Sequence, residues 1–139
     1  MNPAEQATLD AHRRTSAGLD FSDDADFADA RRGFIATVPD GEVRAADGRV
    51  VFSQKRYAFV DAPEAPPTVH PSLWRHARLN RHHGLFQVSE RIFQVRGLDL
   101  ANVTFIEGDE GLIVIDAATY AEAARCALEL FWQHRPRRP

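Results

Sequence analysis

The sequence holds a single cysteine, Cys126. That excludes an internal disulfide framework and a zinc site built on paired thiolates. No apolar run reaches the roughly 18 residues of a membrane span. Met1-Asn2-Pro3-Ala4-Glu5-Gln6 lacks a basic stretch followed by an apolar one, so no export signal is visible. The cytoplasm is the expected compartment, with the periplasm or secretion as the other outcomes. There is no Gly-rich phosphate loop and no Gly-x-Ser-x-Gly elbow. Neither charge dominates: 17 Lys and Arg stand against 20 Asp and Glu, a formal net charge of -3. Such a balance argues against a chain built mainly to hold nucleic acid or a membrane surface. What is there suffices for a core. The 139 residues are 44% hydrophobic and 27% charged, which suits one domain or a piece of a larger one and excludes global disorder.

Along the chain, residues 1–19 read as a disordered lead-in, polar and Ala-rich. Helical spacing begins near Asp20 and runs to Arg32. Phe27, Ala30 and Phe34 share one face, acids open the segment, Ser22 is placed to cap it and Gly33 to end it. Pro39-Asp40-Gly41 and Asp47-Gly48 are turn signals. Arg49 to Ser53 and Tyr57 to Val60 are short strand candidates. The Pro-rich stretch 61–71 is an extended connector, and Pro71 can open a helix carrying Leu73, Trp74 and Ala77. The second half predicts strands at Val88, at 92–96 and at 102–107, then a hairpin loop at 108–111. Leu112-Ile113-Val114-Ile115 follows, continuous and β-branched, expected as a strand buried on both faces. Thr119 and Glu122 are spaced as a capping box for a helix running to about His134, where Pro136 stops it. Its broad apolar face, Ala124, Ala127, Leu128 and Phe131 widened by Ala123, Cys126 and Leu130, implies packing against a sheet.

Few groups could carry chemistry. The histidines are His12, His70, His76, His82, His83 and His134. None has the spacing of a strong metal motif, so they read as surface or loop histidines. Residues 71–96 carry Arg75, Arg78, Arg81, Arg91 and Arg96 against one acid, Glu90. This segment either attracts an anion or polynucleotide phosphate, or is a face that pairs with the acidic 20–29 stretch. Asp116 ends the β-branched run just before a helix. There a carboxylate can be a ligand, a base, a group that orients others, or a local cap for the helix. Cys126 lies within a helix and reads as packing rather than as a nucleophile.

Several blocks resemble the alkyl sulfatases of metallo-β-lactamase fold. They are the stretch from Ala25 to Ala36, His70-Pro71-Ser72-Leu73-Trp74-Arg75, and Leu79-Asn80-Arg81-His82-His83-Gly84-Leu85-Phe86. The long block from Ile92 through Gly97-Leu98-Asp99-Leu100-Ala101-Asn102 to Gly108 follows, then Gly111-Leu112-Ile113-Val114-Ile115-Asp116 and the helix through Glu129. The resemblance covers roughly residues 20–135, with the blocks in the family's order. It implies an α/β (α+β) chain that is the incomplete N-terminal part of a metallo-β-lactamase-type αββα sandwich. On this reading residues 20–83 form an N-terminal extension with helices and the Pro-rich connector, and 84–139 begin the metallo-β-lactamase-like domain.

The family hydrolyses sulfate esters of linear primary alkyl chains. It uses two zinc ions held by an H-x-H-x-D-H motif and later His and acidic residues. Dimerisation and sterol-carrier-like domains follow. This sequence reaches Arg135-Pro136-Arg137-Arg138-Pro139 where that motif would come next, and Ala117-Ala118 replaces the usual Pro-Leu pair. The resemblance therefore implies no catalytic and no metal-ligating residue here, with Asp116 as a supporting residue near the metal loop. Zinc, alkyl sulfate substrate and homodimerisation belong to the complete enzyme, and this chain alone is expected to be inactive. No nucleic-acid partner is expected on that reading. The alternative is a non-enzymatic module binding anions or nucleic acid through 71–96. A piece of a larger sandwich should also leave a sheet edge and an apolar helix face uncovered, so the isolated chain is expected to aggregate or associate.

Overall fold

The computed structural model describes residues 3–137. Met1 and Asn2 of the expected lead-in, and Arg138 and Pro139 of the basic end, lie outside the described residues. The first correction comes at once, because most of the lead-in is helical. Helix α1 spans Gln6–Ser16. Gln6 Nε2 donates to Asp10 Oδ1 at 2.9 Å, and Asp10 pairs with Arg13 at 3.2 Å, each one turn apart. Arg13 and Arg14 occupy the last turn, where the helix dipole favours cations. No residue of α1 is buried. A helix this short is marginal alone in water, so its tether to the rest of the molecule matters.

Helix α2 is shorter than expected, Ala25–Arg31. Ser22 does not cap it. Its hydroxyl and its backbone N–H both donate to Asp20 Oδ1, at 2.6 and 2.9 Å, and that local turn outcompetes the cap. Gly33 ends the helix as anticipated, at φ 72°. A Cβ there would collide with the carbonyl of Gln87, so only glycine fits. Phe34, expected on the helical face, instead opens strand β1, Phe34–Ala36. Strands β2, Glu42–Arg44, and β3, Val50–Ser53, form a separate antiparallel hairpin. The anticipated turn closes between them, with Gly48 N–H donating to the Ala45 carbonyl. Segment β2 is too short to show any alternation, which hid it in the sequence, yet its Val43 is wholly buried.

The expected strand at Tyr57 to Val60 is instead part of a 3-10 helix, Gln54–Asp61. Ser53 Oγ accepts from the Lys55 N–H at its start, and Arg81 holds both ends through the Gln54 carbonyl and the Asp61 carboxylate. Tertiary hydrogen bonds here override the β propensity of Tyr, Phe and Val. Beyond the irregular connector, α3 spans Pro71–Leu79 with its proline in the first turn. Trp74 is buried and its indole N–H donates to the Ala62 carbonyl at 3.3 Å, whereas Leu73 faces solvent.

Four further strands follow: β4 Gly84–Ser89, β5 Ile92–Arg96, β6 Val103–Glu107 and β7 Leu112–Ile115. The main sheet has the order β1-β4-β5-β6-β7, antiparallel throughout. Helix α4, Ala121–His134, lays Ala123, Ala127, Leu130 and Phe131 on one face of it. Phe131 stacks on Phe105 at 4.5 Å between centroids and meets Phe93 edge-on at 5.6 Å. The capping box does not form, because Tyr120 holds the cap position without a side-chain bond. The uncovered face also differs from expectation. The apolar stripe of α4 is covered by the sheet, while on the sheet's other side Phe86 is buried, Ile92 and Ile106 are half-buried, and Ile113 and Ile115 are exposed. Pairing aligns Gln94, Thr104 and Ile115, then Ile92, Ile106 and Ile113, on the side away from Phe93 and Phe105. Strand β7 is an edge strand, with Ile113, Val114 and Ile115 59%, 49% and 54% exposed, not buried on both faces. Branching at Cβ dictates the strand; neighbours dictate its burial.

Candidate functional site

The loop joining β7 to α4 is where the sequence places Asp116, and its backbone is unusual. Asp116 and Ala118 both adopt positive φ, 61° and 64°. Neither is glycine, and such conformations persist only where the surroundings hold them. Asp116 Oδ1 accepts from the Ala118 N–H at 3.0 Å, a local turn bond, and the carboxylate is exposed. Because the sheet is antiparallel, the strand-end rule for parallel α/β sheets has no purchase here. What singles out Asp116 is the strained loop.

A second carboxylate, which sequence reasoning missed, anchors that loop. Asp99 is 6% exposed in the turn between β5 and β6. One oxygen accepts from the Leu100 N–H and the other from the Thr119 N–H, each at 2.5 Å. Asp99 thus ties the 97–102 turn to the start of α4. It also takes the amide that the expected capping box would have served. Gly97, at φ 68°, lets the same turn pass within contact of His83, where a Cβ would lie 2.7 Å from the His83 Cβ. The only signal in the sequence was an acid set between Leu98 and Leu100, which local pattern alone does not distinguish from a surface turn.

Between this turn, the 3-10 helix and α3 lies a half-open cavity of about 500 Å3. Phe52, Tyr57, Val60 and Leu79 supply apolar wall; Arg81, His82 and Asn102 supply polar rim. Burial pushes the His82 imidazole below its ordinary range, helped by the charge of Arg31 and by His83. The buried polar groups are already used within the protein. Gln54 donates to the Gly97 carbonyl and accepts from Arg81, and Arg81 also forks onto Asp61.

The basic segment is consumed in the same way. Arg75 pairs with Asp26 at 2.5 Å, reaches Asp24 at 3.7 Å, donates to the carbonyls of Phe21 and Asp23, and lies over the Phe27 ring. The hydrogen bond from Arg75 holds the Asp26 carboxyl below its usual range, and Arg81 does the same for Asp61. Arg78 sits over Phe27, and Arg91 pairs with Asp109 at 2.7 Å. Arg96 stacks on Phe86 at 4.5 Å and donates to Gln94, and burial lowers its pKa. Arg75 therefore meets the acidic 20–29 stretch, while Arg81 and Arg91 pair with Asp61 and Asp109.

Among the described residues no three His, Cys, Asp or Glu side chains converge as a metal site. His83 Nδ1 is engaged with the Arg81 carbonyl at 2.8 Å, and His12 and His70 meet edge-to-face. The residues present do not fit a zinc pair. Burial raises the Cys126 thiol pKa, consistent with packing rather than nucleophilicity. No described helix is long and apolar enough to cross a membrane.

No family model matches the chain. Over 136 residues it is 45% identical to an alkyl/aryl-sulfatase of Saccharomyces cerevisiae, covering 97% of this chain and 21% of that protein. It is 46% identical over 137 residues to an (R)-specific secondary-alkylsulfatase of Pseudomonas sp., covering 99% and 20%. It is 38% identical over 138 residues to a linear primary-alkylsulfatase of Pseudomonas sp., again covering 99% and 20%. The solved structure of a stereoselective inverting sec-alkylsulfatase from Pseudomonas sp. superposes with a TM-score of 0.84 at 46% identity, over 99% of this chain and 22% of that one. The chain spans about a fifth of the length of the curated relatives it matches, and over that fifth it is similar to alkylsulfatases in both sequence and fold.

Proposed function

We propose that these residues are the N-terminal scaffold of an alkyl sulfatase of metallo-β-lactamase type. The complete form would hydrolyse linear primary alkyl sulfate esters with two zinc ions. The observation that carries this is the match of nearly the whole chain, in sequence and fold, to a fifth of several alkylsulfatases. The exposed Ile113 and Ile115 on one side of the sheet and the open β7 edge agree with a scaffold that other structure would complete. In an αββα sandwich that side would meet a second sheet. Asp116 would support the metal loop from its strained turn, with Asp99 holding that turn against the main sheet. Zinc and the dimer contacts would come from parts outside these 139 residues, and no step of the hydrolysis is carried by the residues described.

The test is direct. Purified chain incubated with dodecyl sulfate and zinc should release no sulfate, and steady turnover would overturn the scaffold reading. The complete enzyme, assayed on dodecyl sulfate and on a secondary alkyl sulfate, should prefer the primary ester. Preference for the secondary ester would move the assignment to that subclass. Reading the adjoining DNA should show a frame encoding H-x-H-x-D-H.

A further inference from the structure

Two bases, Arg96 and His82, line the half-open cavity with no acid to meet them. Arg96 lies over the Phe86 ring at 4.5 Å, and its Nε donates to Gln94 Oε1 at 2.8 Å. Gln94 is itself fixed by donating to Thr104 Oγ1 at 3.0 Å. The guanidinium is therefore held in place, yet its two terminal nitrogens have no acceptor among the described residues. Burial lowers the Arg96 pKa, and no carboxylate pulls the other way. His82 stands alike: burial, Arg31 and His83 all push its pKa down, and no acid opposes them. Both groups sit where positive charge is disfavoured, so one bound negative charge would relieve both.

The remaining charges of the cavity do not supply it. Arg81 forks onto Asp61, and Asp99 spends its oxygens on the Leu100 and Thr119 amides. Much of the rest of the lining is apolar, with Phe52, Val60, Ala77 and Leu79 among it. The volume of about 500 Å3 is that of a small-molecule site. We propose that this cavity binds an amphiphilic anion, an oxyanion head on a short alkyl tail, with the head on the free nitrogens of Arg96 and on His82 and the tail against Phe52, Val60 and Leu79. An oxyanion only accepts hydrogen bonds and a guanidinium only donates them, and neutral His82 adds one further N–H. Sulfate ester and carboxylate heads share this chemistry. The binding needs no step of the hydrolysis proposed above, so it stands or falls separately.

Hydrogen exchange of the full chain, titrated in parallel with hexyl sulfate, hexanoate and hexanol, tests this. Hexyl sulfate should protect the segments 79–82 and 96–102 saturably, and hexanol should do so at least about tenfold more weakly, since it lacks the charge. Equal protection by hexanoate assigns the site to oxyanions in general; protection by the sulfate alone assigns it to sulfate esters. Arg96→Met keeps a long side chain over Phe86 but removes the donors, and should weaken hexyl sulfate about tenfold while leaving hexanol unchanged. Asn102 is exposed on the rim, so Asn102→Asp leaves the fold intact and adds a repelling charge. It should weaken hexyl sulfate several-fold and spare hexanol. Equal affinity for hexyl sulfate and hexanol, an affinity for hexyl sulfate unchanged in either variant, or protection confined to other segments would each overturn the site.

Discussion

Asp99 joins two segments, because its two oxygens accept from the Leu100 and Thr119 amides. Replacing it with alanine leaves the Leu100 and Thr119 amides without acceptors. Chemical denaturation should show a loss of about 1–3 kcal/mol, the cost of unsatisfied buried donors. Asp99→Asn, which keeps one acceptor, should lose less. Glu107 and Arg135 form the other consequential pair, with Nε and Nη2 bonded to the carboxylate at 2.9 and 2.6 Å. The Glu107 side chain is 4% exposed and that of Arg135 34%. Removing one partner of a fully enclosed pair costs about 3–5 kcal/mol. Arg135→Ala should cost about 2 kcal/mol by denaturant titration, below that range because water reaches Arg135. The same variant loses the stacking of Arg135 on Phe93. Neither residue was legible as special in the sequence, because partners 28 positions apart carry no local pattern.

The helices of the first half are held by charge, and that hold has a pH sign. Asp26 and Asp61 both have carboxyls held below the ordinary value by Arg75 and Arg81. A depressed carboxyl contributes stability above its unfolded pKa and loses it as pH falls through the folded value. The contact between α2 and α3 should therefore loosen below about pH 4, read as faster exchange of the α2 amides. Arg75→Gln should loosen it at neutral pH and flatten the acid response. The element with the opposite problem is β7. Its exposed Ile113, Val114 and Ile115 lie on an unpaired edge, a template for another chain. Replacing Ile113 and Ile115 together by lysine should reduce aggregated mass in light scattering. The melting temperature should hardly move, since exposed positions shift stability by only about 0.5 kcal/mol. Which segments form β5 to β7 and α4 was readable from period and turn signals, and of β4 only Val88 was read as strand. β1, β2 and the 3-10 helix were not, because each exists through partners elsewhere in the chain.

For the whole molecule, the main consequence is asymmetry. One side of the sheet is closed by α4 around Phe93, Phe105 and Phe131, and the other carries half-buried Ile92 and Ile106 and, toward the β7 edge, exposed Ile113 and Ile115. A chain so built should self-associate when alone, and its sedimentation should show concentration-dependent growth in mass. The pairing of Arg75, Arg81 and Arg91 bears on function. Heparin or DNA at low salt should produce no shift, because these three cations are held by Asp26, Asp61 and Asp109.

The sequence alone determined the strand–turn–strand succession from Ile92 to Ile115 and the amphipathic helix after it. These follow from side-chain period, β-branching and turn residues, all local physics. It also carried the ordered blocks that resemble alkyl sulfatases. Only the tertiary structure decided that Ile113 to Ile115 lie at an edge, and that Asp99 rather than Glu122 serves the Thr119 amide before α4. It alone also showed that Arg75, Arg81 and Arg91 pair with Asp26, Asp61 and Asp109. Burial and charge pairing depend on which distant residues arrive beside a group, and no window of neighbouring residues contains that information.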